Sequence, residues 1–285
     1  MDKALPLAKS LADAFRQKCC VTQHKPSTEQ RRAILSGLAL GSFLAEAGWY
    51  DESEVTFNAS LQLAHLRVHV DEDVNGNGQG DDEDDSQYVA MSAECCVRLM
   101  AVLNANCKYA DCRIASEKAA YYFDLLDARV TTTSSSSSFV CSSSHLPVNR
   151  AGLLAELCSL RFAQSQYDDA YLSAEASLEQ LKDDLPPKTV VDVLRHAAKA
   201  CVVKREFDKA ELLVRGAVNL AWEEFGKEHP KFAEALTDYG FYLLNVDSIA
   251  QAVVVYTLAL NCRKNCFKGS NINVAISHEV GGVGA

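Results

Sequence analysis

Proline is scarce in this chain, six in 285 residues, and tryptophan (two) and methionine (three) are scarcer still. A proline inside a helix removes a donor and clashes with the preceding turn, so its rarity leaves long stretches open to helix. No long apolar run stands out. The longest uncharged apolar stretch, around 253–260, falls well short of the roughly 20 residues that a bilayer span requires, and membrane insertion is not expected. The first seventeen residues carry Asp2, Lys3 and Lys9 among apolar residues at helical spacing, so they lack the apolar centre of a secretory leader. Eleven cysteines cannot all pair, and without a leader they read as reduced thiols in the cytosol or nucleus. CxxC pairs, histidines at zinc-finger spacing, GxSxG, a phosphate loop, HExxH and kinase signatures are all missing. No catalytic residue, metal site or cofactor is expected, and His196 and His229 have no evident nucleophile beside them.

What is present favours helix. The hydrophobic share is 48%, enough for a folded core at this length, and long stretches are rich in Ala, Leu, Glu and Lys. The net charge of −10 is local: residues 71–85 hold eight acids and no base, which leaves the remainder at −2. A nearly neutral body argues against a nucleic-acid footprint, which needs a concentrated basic face.

One pattern recurs: a helical stretch, a turn ending in an aromatic or apolar residue, then acids and a small residue opening a second helix. Gly41, Leu44, Gly48, Tyr50, Ser53, Phe57 and Ser60 set the register. Cys158, Tyr167, Ala170, Ala174 and Ser177 repeat it, as do Ala198, Phe207, Ala210, Val214 and Ala217, and Gly240, Ile249, Ala252, Tyr256 and Ala259. A weaker copy has Tyr109 at its turn and Ala119 at its docking position. Ala170, Ala210 and Ala252 lie 40 and 42 residues apart, longer than a minimal 34-residue tetratricopeptide (TPR) unit. A lone hairpin cannot bury its apolar face, so the units must stack. The fold expected is all-α, a TPR-like α-solenoid of antiparallel hairpins, about five repeats and a fragment.

The expected organisation is an N-terminal helical segment (1–30) and repeats at 31–70, 87–129, 147–183, 184–226 and 227–268, with a truncated sixth at 269–285. An acidic Gly/Asn-rich insert (71–86) and a Ser-rich insert (130–146) should be disordered, because neither can bury enough apolar surface to offset ordering entropy.

The strings "GSFLAEAGWYDESEVTFNASLQL", "AECCVRLMAVLNANCKY", "VVDVLRHAAKACVVKREFDKAE" and "FGKEHPKFAEALTDYGFYLLNVDSIAQ" resemble the TPR family of amyloid protein-binding protein 2, over about residues 30–280 outside the inserts. The resemblance implies a substrate-recognition subunit of an elongin–cullin-2 (cullin-RING) ubiquitin ligase. It implies reading of C-terminal degrons, binding of the sorting signal in the amyloid precursor protein cytoplasmic tail, a role in intracellular protein transport, and microtubule association. In that family an elongin-binding stretch precedes the repeats and more repeats follow, so the chain is expected to be a partial representative. The long period and the "FG..HP" turn are also similar to kinesin light chains, cargo adaptors. Cytoplasm is the expected location, with the nucleus and cytoskeleton as further ones.

In a TPR stack the first helix of each pair lines the inner groove. By that register the peptide-binding groove carries Ser159, Asp192, Arg195, Lys199, Thr237, Phe241 and Asn245, with Glu46 from the first repeat. Arg195 and Lys199 lie i,i+4 and can face one ligand carboxylate; ordinary helix charges, with Asp192 pairing at i,i+3, are the alternative. Asp71-x-Asp73-x-Asn75-Gly76 matches the opening of a calcium loop, but Gly78 stands where an apolar clamp belongs and Asp82 where Glu belongs, so a solvated acidic loop is the reading. Cys95, Cys96, Cys107, Cys112, Cys262 and Cys266 are read as small packing residues.

Overall fold

Helix accounts for nearly all of the residues that the computed structural model describes, which are 4–70, 82–133, 149–267 and 271–275. The described residues contain no strand, and the protein is all-α. The chain divides into two units, one up to Val148 and one from Asn149. The first holds α1 (Ala4–Thr22), α2 (Ser27–Glu46), α3 (Tyr50–Val70), α4 (Asp82–Ala105) and α5 (Tyr109–Thr133). The second holds α6 (Arg150–Ala163), α7 (Tyr167–Glu179), α8 (Pro187–Val203), α9 (Phe207–Phe225), α10 (Pro230–Asn245) and α11 (Ile249–Phe267). A single further turn of helix spans 272–275.

Two boundaries differ from the sequence reading. The acidic insert gives way to helix at Asp82. α5 continues through Thr133, into what reads as the serine-rich insert. The calcium-like opening (71–81), the bulk of the serine run (134–148) and most of the sixth unit (268–270 and 276–285) lie outside the described residues.

Five helix pairs close through one backbone turn. At the ends of α2, α4, α6, α8 and α10 the residues Gly48, Cys107, Ser165, Arg205 and Asp247 adopt positive φ, between 56° and 79°. The following amide reaches back five residues: Trp49 to Leu44 O (2.9 Å), Lys108 to Leu103 O (2.8 Å), Gln166 to Arg161 O (2.9 Å), Glu206 to Cys201 O (3.0 Å) and Ser248 to Leu243 O (2.9 Å). Each left-handed residue in turn donates to the carbonyl three back, Gly48 to Ala45 O at 2.9 Å for instance. These paired bonds satisfy carbonyls that a helix end leaves open, and the left-handed residue turns the chain back upon itself. Only the first pair uses glycine there, so four side chains carry the cost of left-handed backbone.

Packing within each hairpin follows a size exchange across the helix crossing. The residue nine before the second helix faces the residue seven beyond its start. Gly41 meets Phe57 and Gly240 meets Tyr256 so closely that an added Cβ would lie 2.5 Å and 2.6 Å from the rings. Where the first partner is larger the second is smaller: Ala198 with Val214, Cys158 with Ala174, and, by register, Met100 with Ser116. The small residues that open the second helices, Ser53, Cys112, Ala170, Ala210 and Ala252, are all fully buried.

In the second unit α6, α8 and α10 form a row, each against the next, while α7 packs on α8 and α9 on α10. In the first unit the hairpins α2/α3 and α4/α5 stack through α3 and α4, and α1 lies on α3 and α2 with the Phe15 ring over Gly37. Neighbouring pairs are tied by a recurring ion contact: Lys108 to Asp51 at 3.0 Å, and Lys204 to Asp168 at 2.6 Å. The sequence reading overlooked one apolar stretch. Residues 85–105 of α4 are long and apolar enough to cross a membrane, but 67% of the most apolar eighteen-residue window in it is buried against protein and the helix carries the Glu94–Arg98 ion pair (2.6 Å), as a core helix would.

Arg205 is exposed, and Arg205→Gly relieves its positive φ; the expected gain is about 0.5–1 kcal/mol after the added freedom of the unfolded chain is counted, read as a raised thermal midpoint. Gly240→Ala drives a methyl into Tyr256 and is expected to cost about 1–3 kcal/mol. Combining it with Tyr256→Val recreates the Ala198/Val214 pairing and should recover part of that loss in denaturant unfolding; a double variant no better than the single one would refute the exchange.

Candidate peptide-binding groove

In the row α6, α8, α10, Phe162 of α6 meets Phe241 of α10, with ring centroids 6.3 Å apart and nearly perpendicular. Between them, Lys199 of α8 places its ammonium 5.1 Å from the centre of the Phe162 ring. Three successive hairpins thus supply an aromatic, a cation and an aromatic to one surface. Such a cation over a ring face is attracted by the ring quadrupole.

Beneath this surface lies a network of charges. Arg195 donates from Nε to Asp238 (2.8 Å) and from Nη1 to Asp192 (2.9 Å) and Glu234 (2.6 Å). Lys231 donates to both oxygens of Asp192 (2.7 and 2.8 Å) and to Glu234 (3.1 Å). Lys199 stands 3.8 Å from the other oxygen of Asp238. Burial disfavours ionising Glu234 and Asp192, but the Lys231 and Arg195 cations outweigh it and hold both carboxyls below their ordinary range. Burial likewise opposes charge on Arg195 and Lys231, and the facing acids outweigh it and raise both. A buried network of this kind is costly to break singly, about 3–5 kcal/mol for an orphaned partner.

The expected groove residues therefore divide. Asp192, Arg195, Lys199, Thr237 and Phe241 are brought together, but Arg195 is only 9% exposed and is committed to its three acids, including the i,i+3 partner Asp192. The alternative of an i,i+3 pair with Asp192 is present, and of the two cations Lys199, with 26% of its side chain exposed, is the more accessible. Thr237 donates to Ala233 O (2.8 Å) and accepts from Arg263 of α11 (3.0 Å). Asn245 is exposed and donates to Phe241 O (2.8 Å), while Ser159 is half-buried on α6. Glu46 belongs to the other unit.

Sequence reasoning missed Glu156, Phe162, Lys231, Glu234, Asp238 and Arg263. A signal existed for some: Asp192 and Glu234 lie 42 apart, one full repeat, and charges recurring at one register of an inner helix mark a shared face. Among the described residues no three of His, Cys, Asp and Glu gather in a metal-ligating group. Burial, above all, pushes the thiols of Cys96, Cys158 and Cys262 up to about 12, so they remain protonated and pack as small apolar groups. Cys107 departs from that reading, exposed at a left-handed turn position.

Two groups beside the network titrate abnormally. Glu156 is pushed up to about 8, by burial first and then by the charge of Asp192. His196, whose Nδ1 is buried without a partner, is pushed down to about 3, by burial and then by Arg195 and Lys199. Between their ordinary and folded values, the folded state holds an extra proton on Glu156 and one fewer on His196. Glu156 therefore loses stability as pH rises from 4.5 to about 8, and His196 loses it as pH falls from 6.5 to about 3. The two slopes oppose each other where they overlap and leave a broad maximum between 4.5 and 6.5. Glu156→Gln should flatten the decline above the maximum, so that its advantage in unfolding midpoint over the parent is larger at mildly alkaline pH than at the maximum.

No family model matches the chain. Among solved structures it is similar to BtubC (BKLC) from P. vanneervenii, with a TM-score of 0.48, 15% identity, and coverage of 82% of this chain and 84% of that one. That likeness is too distant to bear on the fold or the function. Amyloid protein-binding protein 2 of Rattus norvegicus is 41% identical over 279 residues, and the protein of the same name from Mus musculus is equally so. The match takes in 98% of this chain but only 42% of those relatives' length. Along nearly all of its residues, then, the chain is homologous to amyloid protein-binding protein 2 and spans 42% of that protein.

Proposed function

We propose that the chain is a protein-interaction scaffold whose inner row α6, α8, α10 holds an extended segment of a partner protein. The observation that carries the reading is the surface made by Phe162, Lys199 and Phe241, which no single hairpin could build. Rigid helices present it, so little order has to be imposed on the receptor side when a ligand binds. The relatives' name refers to binding of amyloid protein, and the sequence resemblance supports a finer role. In that role the chain is a substrate-recognition part of an elongin–cullin ubiquitin ligase, reading C-terminal degrons and the amyloid precursor protein tail, working in intracellular transport with microtubules, in cytoplasm or nucleus. The chemistry of ubiquitin transfer would then belong to partners, and the chain acts as an adaptor.

A labelled peptide of the amyloid precursor protein cytoplasmic tail is expected to bind saturably, and Lys199→Ala with Phe241→Leu to weaken it about tenfold or more, roughly 1.4 kcal/mol, measured at a temperature where circular dichroism shows both proteins fully folded. Equal affinity for parent and variant would remove this groove from the account. Recovery of kinesin heavy chain instead of elongin and cullin in affinity capture would redirect the finer role to cargo transport.

A further inference from the structure

The charges of the second unit's groove are largely spent on one another; at the corner of α1 and α2 in the first unit Arg16 pairs with Asp13 and Lys25 with Glu29, and two further cations, Lys18 and Arg32, remain open. Residues 16–32 carry Arg16, Lys18, Lys25, Arg31 and Arg32 against the single acid Glu29, a local reversal of sign in a chain of net charge −10. Lys18, Lys25 and Arg32 line an open cleft of about 630 Å³ between the two helices. Glu29, the one acid in it, is held by Lys25 at 3.0 Å. The Lys18 ammonium and the Arg32 guanidinium have neither an ion pair nor a hydrogen bond among the described residues.

The cleft has an apolar continuation. On α1 the residues Leu7, Leu11, Ala14, Lys18 and Val21 follow one another at alternating intervals of four and three, which places them along one stripe of a helix. That stripe lies beside the one already buried, Ala8, Ala12, Phe15 and Cys19, and is itself open: Leu7 is 61%, Leu11 42% and Val21 67% exposed. On α2 the same face runs from Arg32 and Ser36 to Leu40 and Phe43, the last 58% exposed. α1 ends at Thr22 and α2 begins at Ser27, so short a connection that, with Phe15 on Gly37, the helices run antiparallel and the Leu7–Leu11 end of α1 lies toward Phe43. The cleft is thus basic near the α1–α2 turn and apolar at its far end.

We infer that this cleft docks an acidic amphipathic helix from a partner protein, its carboxylates on Lys18 and Arg32 and its apolar stripe on Leu7, Leu11 and Phe43. An amphipathic helix laid in a groove is a common mode of recognition, read by anchors three and four residues apart. Charge complementarity selects the partner's sign and sets its direction, because only one end of the groove is basic. The surface is distinct from the inner row of the second unit and does not depend on the function proposed for it.

The test is fluorescence anisotropy with the full chain and a fluorescein-labelled synthetic helix bearing leucines along one stripe and glutamates at one end. The parent should bind it saturably and more weakly as salt rises. Lys18→Glu with Arg32→Glu should weaken binding by about tenfold or more, roughly 1.4 kcal/mol, Lys18→Gln with Arg32→Gln should lie between, and Leu7→Ser should also weaken it. All of these positions are exposed, and circular dichroism checks that each variant keeps its helicity. Lys227→Glu, in the second unit, should leave binding unchanged. The inference is overturned if charge reversal leaves affinity intact, if Lys227→Glu lowers it as much, or if a probe with lysines in place of glutamates binds as well. It is also overturned if neutralising Asp81, Asp82, Asp84 and Asp85 to Asn tightens probe binding about tenfold, since the chain's own acidic stretch would then be the occupant. A self-association in sedimentation that Lys18→Glu with Arg32→Glu abolishes would instead make the occupant a second copy.

Discussion

The close crossing of paired helices is the constraint on which the rest of this protein depends. Two helices can approach closely only where one side chain is small enough to admit another, and here the space at the crossing is divided differently in each hairpin. Gly41 and Gly240 yield it to Phe57 and Tyr256, while Ala198 shares it with Val214 and Cys158 with Ala174. The left-handed turn residue then fixes the direction of return, so crossing and turn together specify the hairpin before any neighbour is added.

Stacking follows from the same economy of space. Small residues opening each second helix are fully buried, and in the second unit the first helices α6, α8 and α10 pack in a row. Phe162 of α6 and Phe241 of α10 meet there, which is how residues 79 positions apart come to share a surface. The charged groups below it are buried with their partners, and their mutual compensation makes the groove a firm support with few charges to spare. In the first unit, at α1 and α2, Lys18 and Arg32 have no side-chain partner among the described residues and an open apolar stripe remains on view.

Much of this was legible in residue order, because the features that define a hairpin are local. The spacing of Gly41, Cys158, Ala198 and Gly240 from the turn aromatics reports the crossing directly, and the rarity of proline keeps the helices long. The extra length of α4 and α5 was not legible: acidic and Thr/Ser tracts are compatible with both helix ends and loops, so composition alone does not place the boundary.

By itself, the sequence determined the helical class, the register of the repeats and the likeness to amyloid protein-binding protein 2, since each rests on periodicity or on strings of adjacent residues. Tertiary structure alone decided which charges are available. Arg195 and Lys199 are equivalent on a helical wheel, yet one is drawn into three carboxylates, two of them from α10, and the other keeps an open side. Lys18 and Arg32 look like ordinary surface charges until the fold sets them across one cleft. An ion pair between helices is a relation of positions far apart in the chain, and one helix's periodicity carries no information about what its neighbour will place opposite.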